Sequence, residues 1–279
     1  MKYDDTLNQC IRQLKLKRYA ASTQKTYLYF LKSFLYFHSL PIHEINEVHV
    51  KPYIESLIDK NLSQSAQNQA INALKFYFEK VLRKPTHYYF FDRPRKQFRL
   101  PNVLTGMEVI RIFNNCQNIK HRMMLKCIYA LGLRVGELLR IKLTDFDKQR
   151  KCLHIRQSKG NKDRIIPMPE SLLIELRHYY KLNKPEVYLF EGQKGAGHPY
   201  SYRSIQSILK KAVKKSHINK KVTTHTLRHS YATHLMNNNI DLRTIQVLLG
   251  HNSLKTTQIY THLTDSDILN TPSPIDFLH

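Results

Sequence analysis

Three prolines, at positions 85, 94 and 101, divide the chain into two parts. Proline removes a backbone N–H donor and disfavours helix in the residue before it, so residues 84–101 (KPTHYYFFDRPRKQFRLP) interrupt any helix that reaches them. The cationic side chains of this stretch include Arg93, Arg95, Lys96 and Arg99. We therefore expect an extended basic linker over residues 85–100, which either follows a phosphate backbone or only connects two domains.

Apolar residues recur at helical spacing in four segments before this linker, residues 7–18, 22–38, 47–60 and 63–83. This period predicts four amphipathic helices that pack together as a small domain over residues 1–84. Around its first turn lie Lys15, Lys17, Arg18 and Lys25. Such a cluster is either a phosphate-binding surface or an ordinary solvated face.

Residues 101–279 form a second, larger domain in which the hydrophobic period changes once. Helical spacing recurs in residues 105–116, 121–133, 134–147, 170–181, 201–216, 224–237, 241–250 and 253–263. Between them, residues 151–169 hold two short β-rich runs around Gly160 and Asn161, residue types that supply the positive φ of a tight turn. We therefore predict a mainly α fold with a small β-sheet built on a hairpin.

The net charge of the chain limits the kinds of partner that it is expected to bind. The chain has 45 Lys and Arg against 21 Asp and Glu, a formal net charge of +24, which favours a polyanionic partner. Nucleic acid is the leading candidate and an anionic membrane the competitor. The sequence has no 18-residue apolar run and its first residues, MKYDDTLNQC, lack the apolar core of a secretory signal, so we expect a cytoplasmic protein with no membrane partner.

The cysteines carry no sign of a metal site. They are Cys10, Cys116, Cys127 and Cys152, without Cys-x-x-Cys spacing. This scatter favours reduced thiols over a disulfide framework or a zinc site. We therefore expect no bound metal.

Several polar residues lie beside predicted breaks in the second domain. His225 and Arg228 are three positions apart, so they share one face of a helix and could grip one anion. An isolated His-x-x-Arg is, however, typical of many exposed basic helix ends. The complete set of candidates, in chain order, is Arg134, Lys159, His225, Arg228, His251 and Tyr260.

Together these residues resemble the signature of the tyrosine recombinases, a family that includes phage integrases and bacterial Xer-type recombinases. The signature is an Arg, a hairpin Lys, a His-x-x-Arg, a His or Trp, and a Tyr. The similar motifs in this sequence are ALGLRVGELLRI, HTLRHSYATHL, LLGH and YTH. The resemblance spans essentially the whole chain. It implies an N-terminal core-binding, SAM-like four-helix domain (1–84) and a catalytic domain (101–279) with a tail at 263–279.

The resemblance implies site-specific recombination of double-stranded DNA without metal, ATP or another cofactor. Tyr260 would attack a phosphodiester and form a 3′-phosphotyrosyl link, which a free 5′ hydroxyl later attacks. Arg134 and Arg228 would clamp the phosphate, since each guanidinium is permanently charged and offers a planar fork of donors. Lys159 would protonate the leaving oxygen, with Lys162 as a rival acid and a candidate DNA contact.

The remaining roles rest on the same resemblance. His225 would be the acid–base partner of the tyrosine. His251 would donate a hydrogen bond to the phosphate, or would only pack at a helix N-terminus. Glu137, one turn after Arg134, would orient its neighbours rather than react.

The resemblance predicts a homotetramer on synapsed DNA, leaves open a monomer in solution, and implies no small-molecule substrate. Two other functions stay open: a topoisomerase of the type-IB kind, which shares the same chemistry, and a non-catalytic DNA-binding factor. Because all six positions are filled, the non-catalytic factor is disfavoured, and the Xer-like text favours recombination over relaxation. The target site and the choice among integration, excision, inversion, integron cassette recombination and dimer resolution stay open.

Overall fold

A computed structural model of the chain describes residues 3–85, 102–156 and 163–250. These fall into two compact units, one within residues 1–98 and the other within residues 99–279. The predicted hairpin tip and the predicted helix over residues 253–263 lie outside the described residues, as does almost all of the predicted linker.

The first unit is a small helical bundle, as the hydrophobic spacing predicts. Its helices are α1 (Asp4–Leu16), α2 (Ala21–His38), α3 (Val50–Asp59) and α4 (Gln64–Phe76). A 3₁₀ turn precedes α3, and a π-helical turn, Tyr77–Val81, extends α4. Leu31, Phe34 and Leu35 of α2 form a fully buried stripe at spacings of three and four residues, which explains why this helix lies at the centre of the core.

The second unit is mostly helical and contains one small sheet. Its helices are α5 (Gly106–Asn114), α6 (Ile119–Ala130), α7 (Val135–Leu138), α8 (Glu170–Asn183), α9 (Tyr202–Lys215), α10 (Thr224–Asn237) and α11 (Leu242–Leu249). Helix α6 packs against α8, α9 and α10 and has the fully buried residues Met124, Leu125 and Cys127. No helix in the described ranges is long and apolar enough to cross a membrane.

The predicted hairpin is present as two antiparallel strands of a three-stranded sheet. The order is β1 (Phe146–Asp147), β2 (Cys152–Ile155) and β3 (Arg164–Pro167). Burial alternates along β3, so that Arg164 and Ile166 face inward while Ile165 and Pro167 face outward. An arginine therefore occupies a core-facing position.

The prediction of one helix over residues 134–147 is wrong beyond the first turn. Helix α7 has only four residues, and the chain then turns towards β1. The Ile141 carbonyl accepts from the Leu189 N–H (2.8 Å), and the Leu143 N–H donates to the Val187 carbonyl (3.1 Å). These cross-chain bonds replace the helical ones, so tertiary pairing overrides a helical apolar pattern.

The junction between α6 and α7 depends on Gly132. Its φ is +57°, and a Cβ there would lie 2.6 Å from the ring of Tyr231 on α10. The turn therefore needs both the left-handed conformation and the missing side chain. It holds the end of α6 against α10, two residues before Arg134 at the N-cap of α7.

We predict that Gly132→Ala lowers the free energy of unfolding by about 1–3 kcal/mol, because alanine is strained at positive φ and collides with Tyr231. Urea unfolding of the purified protein measures this change. The matched control is Gly106→Ala, where no atom lies within 4 Å of the new Cβ. An unchanged stability of Gly132→Ala would contradict the packing at this turn.

Candidate active site

Arg134 lies at the N-cap of α7 and turns back onto its own helix. Its N–H and its Nη1 donate to the two carboxylate oxygens of Glu137, each at 2.8 Å. The Arg134 side chain keeps 24% of its surface exposed, whereas that of Glu137 keeps 2%. Arg134 is therefore held by a buried carboxylate while part of its side chain stays exposed to solvent, where a phosphate could bind.

Glu137 binds a second arginine more completely. Nη1 and Nη2 of Arg164 donate to its two oxygens at 2.9 and 2.8 Å, a bidentate fork. Burial by itself would raise the pKa of Glu137. The hydrogen bonds and charge of Arg164, with the bonds from Arg134, lower this pKa to about 2, so the group is a carboxylate at neutral pH.

Arg228, on the inner face of α10, is also buried, with only 4% of its side chain exposed. Its Nη1 donates to the Gly132 carbonyl (2.5 Å) and its Nη2 to the Leu249 carbonyl (2.6 Å). Nη1 also lies 3.8 Å from Glu137. These contacts fix the plane of the guanidinium between α6 and α11.

Three consecutive carbonyls at the C-terminal end of α11 accept hydrogen bonds from three arginines on different elements. The pairs are Leu248 with Arg164 Nε (2.8 Å), Leu249 with Arg228 Nη2 (2.6 Å) and Gly250 with Arg134 Nη2 (3.3 Å). Carbonyls at a helix C-terminus carry the negative end of the helix dipole and favour cations. The arginines therefore converge where the chain enters residue 251.

His225 lies on the first turn of α10 with its ring partly exposed. Partial desolvation lowers its pKa, and the nearby charges of Arg228 and Arg134 lower it further. One turn later, His229 is more deeply placed, and burial with the charges of His225 and Arg228 lowers its pKa to about 4. Both rings are therefore biased towards the neutral form, which can accept a proton.

Of the six residues predicted for the site, Arg134, His225 and Arg228 come together in this way. Lys159, His251 and Tyr260 lie outside the described residues, as do the predicted DNA contacts Arg93, Arg95, Lys96, Arg99 and Lys162. In the first unit, Lys15, Lys17, Arg18 and Lys25 are all exposed around the α1–α2 turn. These four are available to solvent, as a phosphate-binding surface requires.

The family relationship is visible across both units. Residues 102–267 match the Phage integrase family, and residues 6–88 match the phage integrase N-terminal SAM-like domain. The chain belongs to the phage integrase family. It is a tyrosine-type site-specific recombinase.

Individual relatives agree with this assignment. The tyrosine recombinase XerA of Pyrococcus horikoshii is 34% identical over 262 residues, which cover 93% of this chain and 90% of the relative. Among solved structures, the XerH site-specific recombinase bound to difH substrate has 25% identity and a TM-score of 0.66 over 88% of this chain and 77% of that one. A lambda integrase tetramer bound to a Holliday junction shares the fold, with a TM-score of 0.75 and 18% identity over 95% of this chain and 80% of that one.

Two features of this recombinase escape the sequence analysis. Arg164 has no clear signal in the sequence, because Ile165 is as apolar as Ile166, and the inward position that Arg164 shares with Ile166 and Met168 is seen only in the structure. The second feature is an exposed basic face on α9, whose buried residues leave the cations on the opposite side. It comprises Arg203, Lys210, Lys211, Lys214 and Lys215.

One group in the described ranges brings potential metal ligands together. Donor atoms of Asp147, Cys152 and His154 lie within 4.8 Å of one another on β1 and β2. Asp147 Oδ1 already accepts from the Arg150 N–H (2.9 Å), as the cap of a turn. The same stretch carries Lys148, Arg150, Lys151 and Arg156, whose charges oppose a divalent cation, so we assign no metal to this group.

The lowered pKa of His229 predicts a pH dependence of stability. The unfolded chain binds a proton near pH 6.5 that the folded protein resists until about pH 4, so this residue reduces the free energy of unfolding as pH falls through that window. We expect His229→Gln to reduce the slope of the free energy of unfolding against pH in this window by at most about 1.4 kcal/mol per pH unit.

Urea unfolding at several pH values across the window measures this slope. The matched control is His217→Gln, which changes an exposed histidine in the same unit. An identical slope in the wild type and in His229→Gln would exclude His229 as its source.

Proposed function

We propose that this recombinase cuts and rejoins DNA strands through a 3′-phosphotyrosyl intermediate formed on Tyr260, without metal or ATP. The observation that carries the proposal is the convergence of Arg134 and Arg228 at the end of α11, with His225 near enough for both charges to lower its pKa. His251 follows that end directly, and Tyr260 comes nine residues later. The site therefore gathers phosphate-binding groups next to the segment that carries the proposed nucleophile.

The two arginines supply charge stabilisation. Attack on a phosphodiester places negative charge on the non-bridging oxygens, and preorganised cations in a water-poor site stabilise that charge most effectively. Arg134 is partly exposed and Arg228 is fixed by two main-chain carbonyls, so neither has to reorganise extensively when a phosphate arrives. In this role they replace the metal ions that many phosphoryl-transfer enzymes use.

Two residues transfer protons, and a third, His251, binds the phosphate. His225, biased towards its neutral form, accepts the proton of the Tyr260 phenol. Lys159, between strands β2 and β3, protonates the departing 5′ oxygen, with Lys162 as its rival. His251 donates a hydrogen bond to the phosphate, and its alternative role is packing alone.

The proposed partner is double-stranded DNA, with a homotetramer on synapsed sites. XerH was solved on its difH substrate and lambda integrase as a tetramer on a Holliday junction, and the charge of +24 supports the same kind of partner here. Lys15, Lys17, Arg18 and Lys25 in the first unit, together with the α9 face, are the described surfaces that we propose for phosphate contacts. A cytoplasmic location stays a prediction from sequence.

Relatives named as recombinases favour strand exchange over the relaxation of a single duplex by a type-IB-like topoisomerase. The domain limits, 1–84 and 101–279, are likewise proposed. They are supported by the division near residue 98 and by family matches that end at residue 88 and resume at residue 102.

Tyr260→Phe tests the nucleophile. The change removes only the phenol oxygen, so we expect near-normal DNA affinity and no covalent protein–DNA product. The target site is first identified by sequencing the DNA that is covalently attached to the wild-type protein in cells. The substrate is a nicked duplex that contains this site. A denaturing gel detects the product, and Tyr180→Phe, at an exposed tyrosine of α8, serves as the control. Covalent product from Tyr260→Phe would move the nucleophile to another residue.

Lys159→Ala tests the general acid. On ordinary DNA we expect cleavage to fall about 100-fold or more, as loss of a general acid typically costs. A substrate with sulfur at the 5′ bridging position should be cleaved at nearly the wild-type rate, because a thiolate leaves without protonation. Single-turnover rates on both substrates give the comparison, with Lys162→Ala as the matched variant. Equal impairment of Lys159→Ala on both substrates would exclude it as the acid.

A further inference from the structure

Arg164 is the one arginine of the cluster to which the proposed chemistry gives no role. Its side chain is only 6% exposed, and it points inward from the first position of β3. All three guanidinium nitrogens have protein partners: Nη1 and Nη2 on Glu137, and Nε on the Leu248 carbonyl (2.8 Å). Arg164 is therefore placed to hold protein groups rather than a substrate.

The two partners of Arg164 lie on different elements. Glu137 belongs to α7, next to Arg134, and Leu248 belongs to the last turn of α11. Arg164 thus connects the hairpin strand to the helix that begins at Arg134 and to the chain that leads towards residue 251.

Close packing leaves little space around this connection. Gly250 ends α11 at φ +62°, and a Cβ there would lie 3.1 Å from both Cδ and Nη1 of Arg164. The backbone therefore approaches the guanidinium as closely as the absence of a side chain permits. Lysine, with a single ammonium group, could not bind both oxygens of Glu137 and the Leu248 carbonyl in this plane.

Charge balance gives Arg164 a second effect. Glu137 is buried and ionised, and its oxygens also contact Arg134 and lie 3.8 Å from Arg228. Without Arg164, the full charge of this carboxylate would be compensated by the two arginines that are proposed to face the phosphate. By satisfying Glu137, Arg164 preserves their attraction for an anion.

We propose that Arg164 is a positioning residue for strand cleavage, which acts through Glu137 and the Leu248 carbonyl to fix the position of the Arg134 and Arg228 guanidinium groups and to leave their charge available to the phosphate. The proposal rests on the proposed function, in which those two arginines stabilise the phosphate. Arg164 itself does not contact DNA.

A neutral scissile group separates this role from a general contribution to folding. In a methylphosphonate, a methyl group replaces one non-bridging oxygen, so the scissile group is neutral before attack and carries one negative charge fewer in the transition state for the arginines to stabilise. We expect Arg164→Gln to slow single-turnover cleavage of the ordinary nicked duplex at least about 10-fold at saturating protein. The same variant should slow cleavage of the methylphosphonate duplex by less than about 3-fold, with DNA affinity changed by less than about 3-fold.

Arg164→Lys tests geometry, because it keeps the charge and removes the fork. We expect this variant to retain a defect on the phosphate duplex, and full activity would overturn the proposal. Lys126→Gln, which breaks the ion pair with Glu175 in the same unit, is the matched control. It should leave the ratio of the two rates unchanged.

Arg134→Ala, run on the same two duplexes, separates this inference from the proposed function. If the methylphosphonate relieves the cleavage defect of Arg134→Ala but not that of Arg164→Gln, only the positioning role is overturned. If the methylphosphonate relieves the cleavage defect of neither variant, the arginine clamp and the positioning role are both overturned.

Should Arg164→Gln fail to fold, the double variant Glu137→Gln with Arg164→Gln removes both buried charges and keeps side chains that can hydrogen-bond each other. No carboxylate then draws on the charge of Arg134 and Arg228, but their positions are no longer fixed, so the proposal expects a selective defect on the phosphate duplex from geometry alone. Wild-type cleavage of that duplex by the double variant would overturn it.

Discussion

The buried carboxylate of Glu137 is the interaction on which the catalytic unit depends. It binds Arg134 and Arg164 directly and lies 3.8 Å from Arg228, so one negative charge holds together three positive ones. Removing one partner from a buried ion pair typically costs about 3–5 kcal/mol, because the other charge is left without compensation. The site is therefore built around an acid that takes no part in the proposed chemistry.

The C-terminal end of α11 provides the second source of negative potential. Its last carbonyls accept hydrogen bonds from the same three arginines, so the guanidinium groups lie between a carboxylate and a helix terminus. This arrangement offsets the mutual repulsion of three cations and keeps a net positive charge at the surface where Arg134 is exposed. The guanidinium groups are therefore already in place when a phosphate diester binds.

The sequence predicts Arg134 and Arg228 as a phosphate clamp and, through the family resemblance, Glu137 as a residue that orients its neighbours, but it does not predict Arg164. Arg134, His225 and Arg228 stand out because they form a recognisable motif, and α10 has the predicted bounds, Thr224–Asn237. Arg164 could not be identified in the same way, since its role follows from a register that brings an inward-facing arginine to α7 and α11. Helix α7 was predicted too long because the pairing of Ile141 and Leu143 with residues 187–189 is a tertiary interaction that no local period encodes.

The arginine cluster joins residues that are far apart in the chain. Arg134 and Gly250 are separated by 116 positions, and Arg164 and Leu248 by 84. During synthesis the N-terminal parts of a protein emerge and fold first, so a growing chain can form the helical bundle and much of the catalytic unit before α11 exists. The last turn of α11 is then missing, and with it the carbonyls that bind the three arginines. The arrangement of Arg134, Arg164 and Arg228 can therefore be completed only after synthesis has passed residue 250.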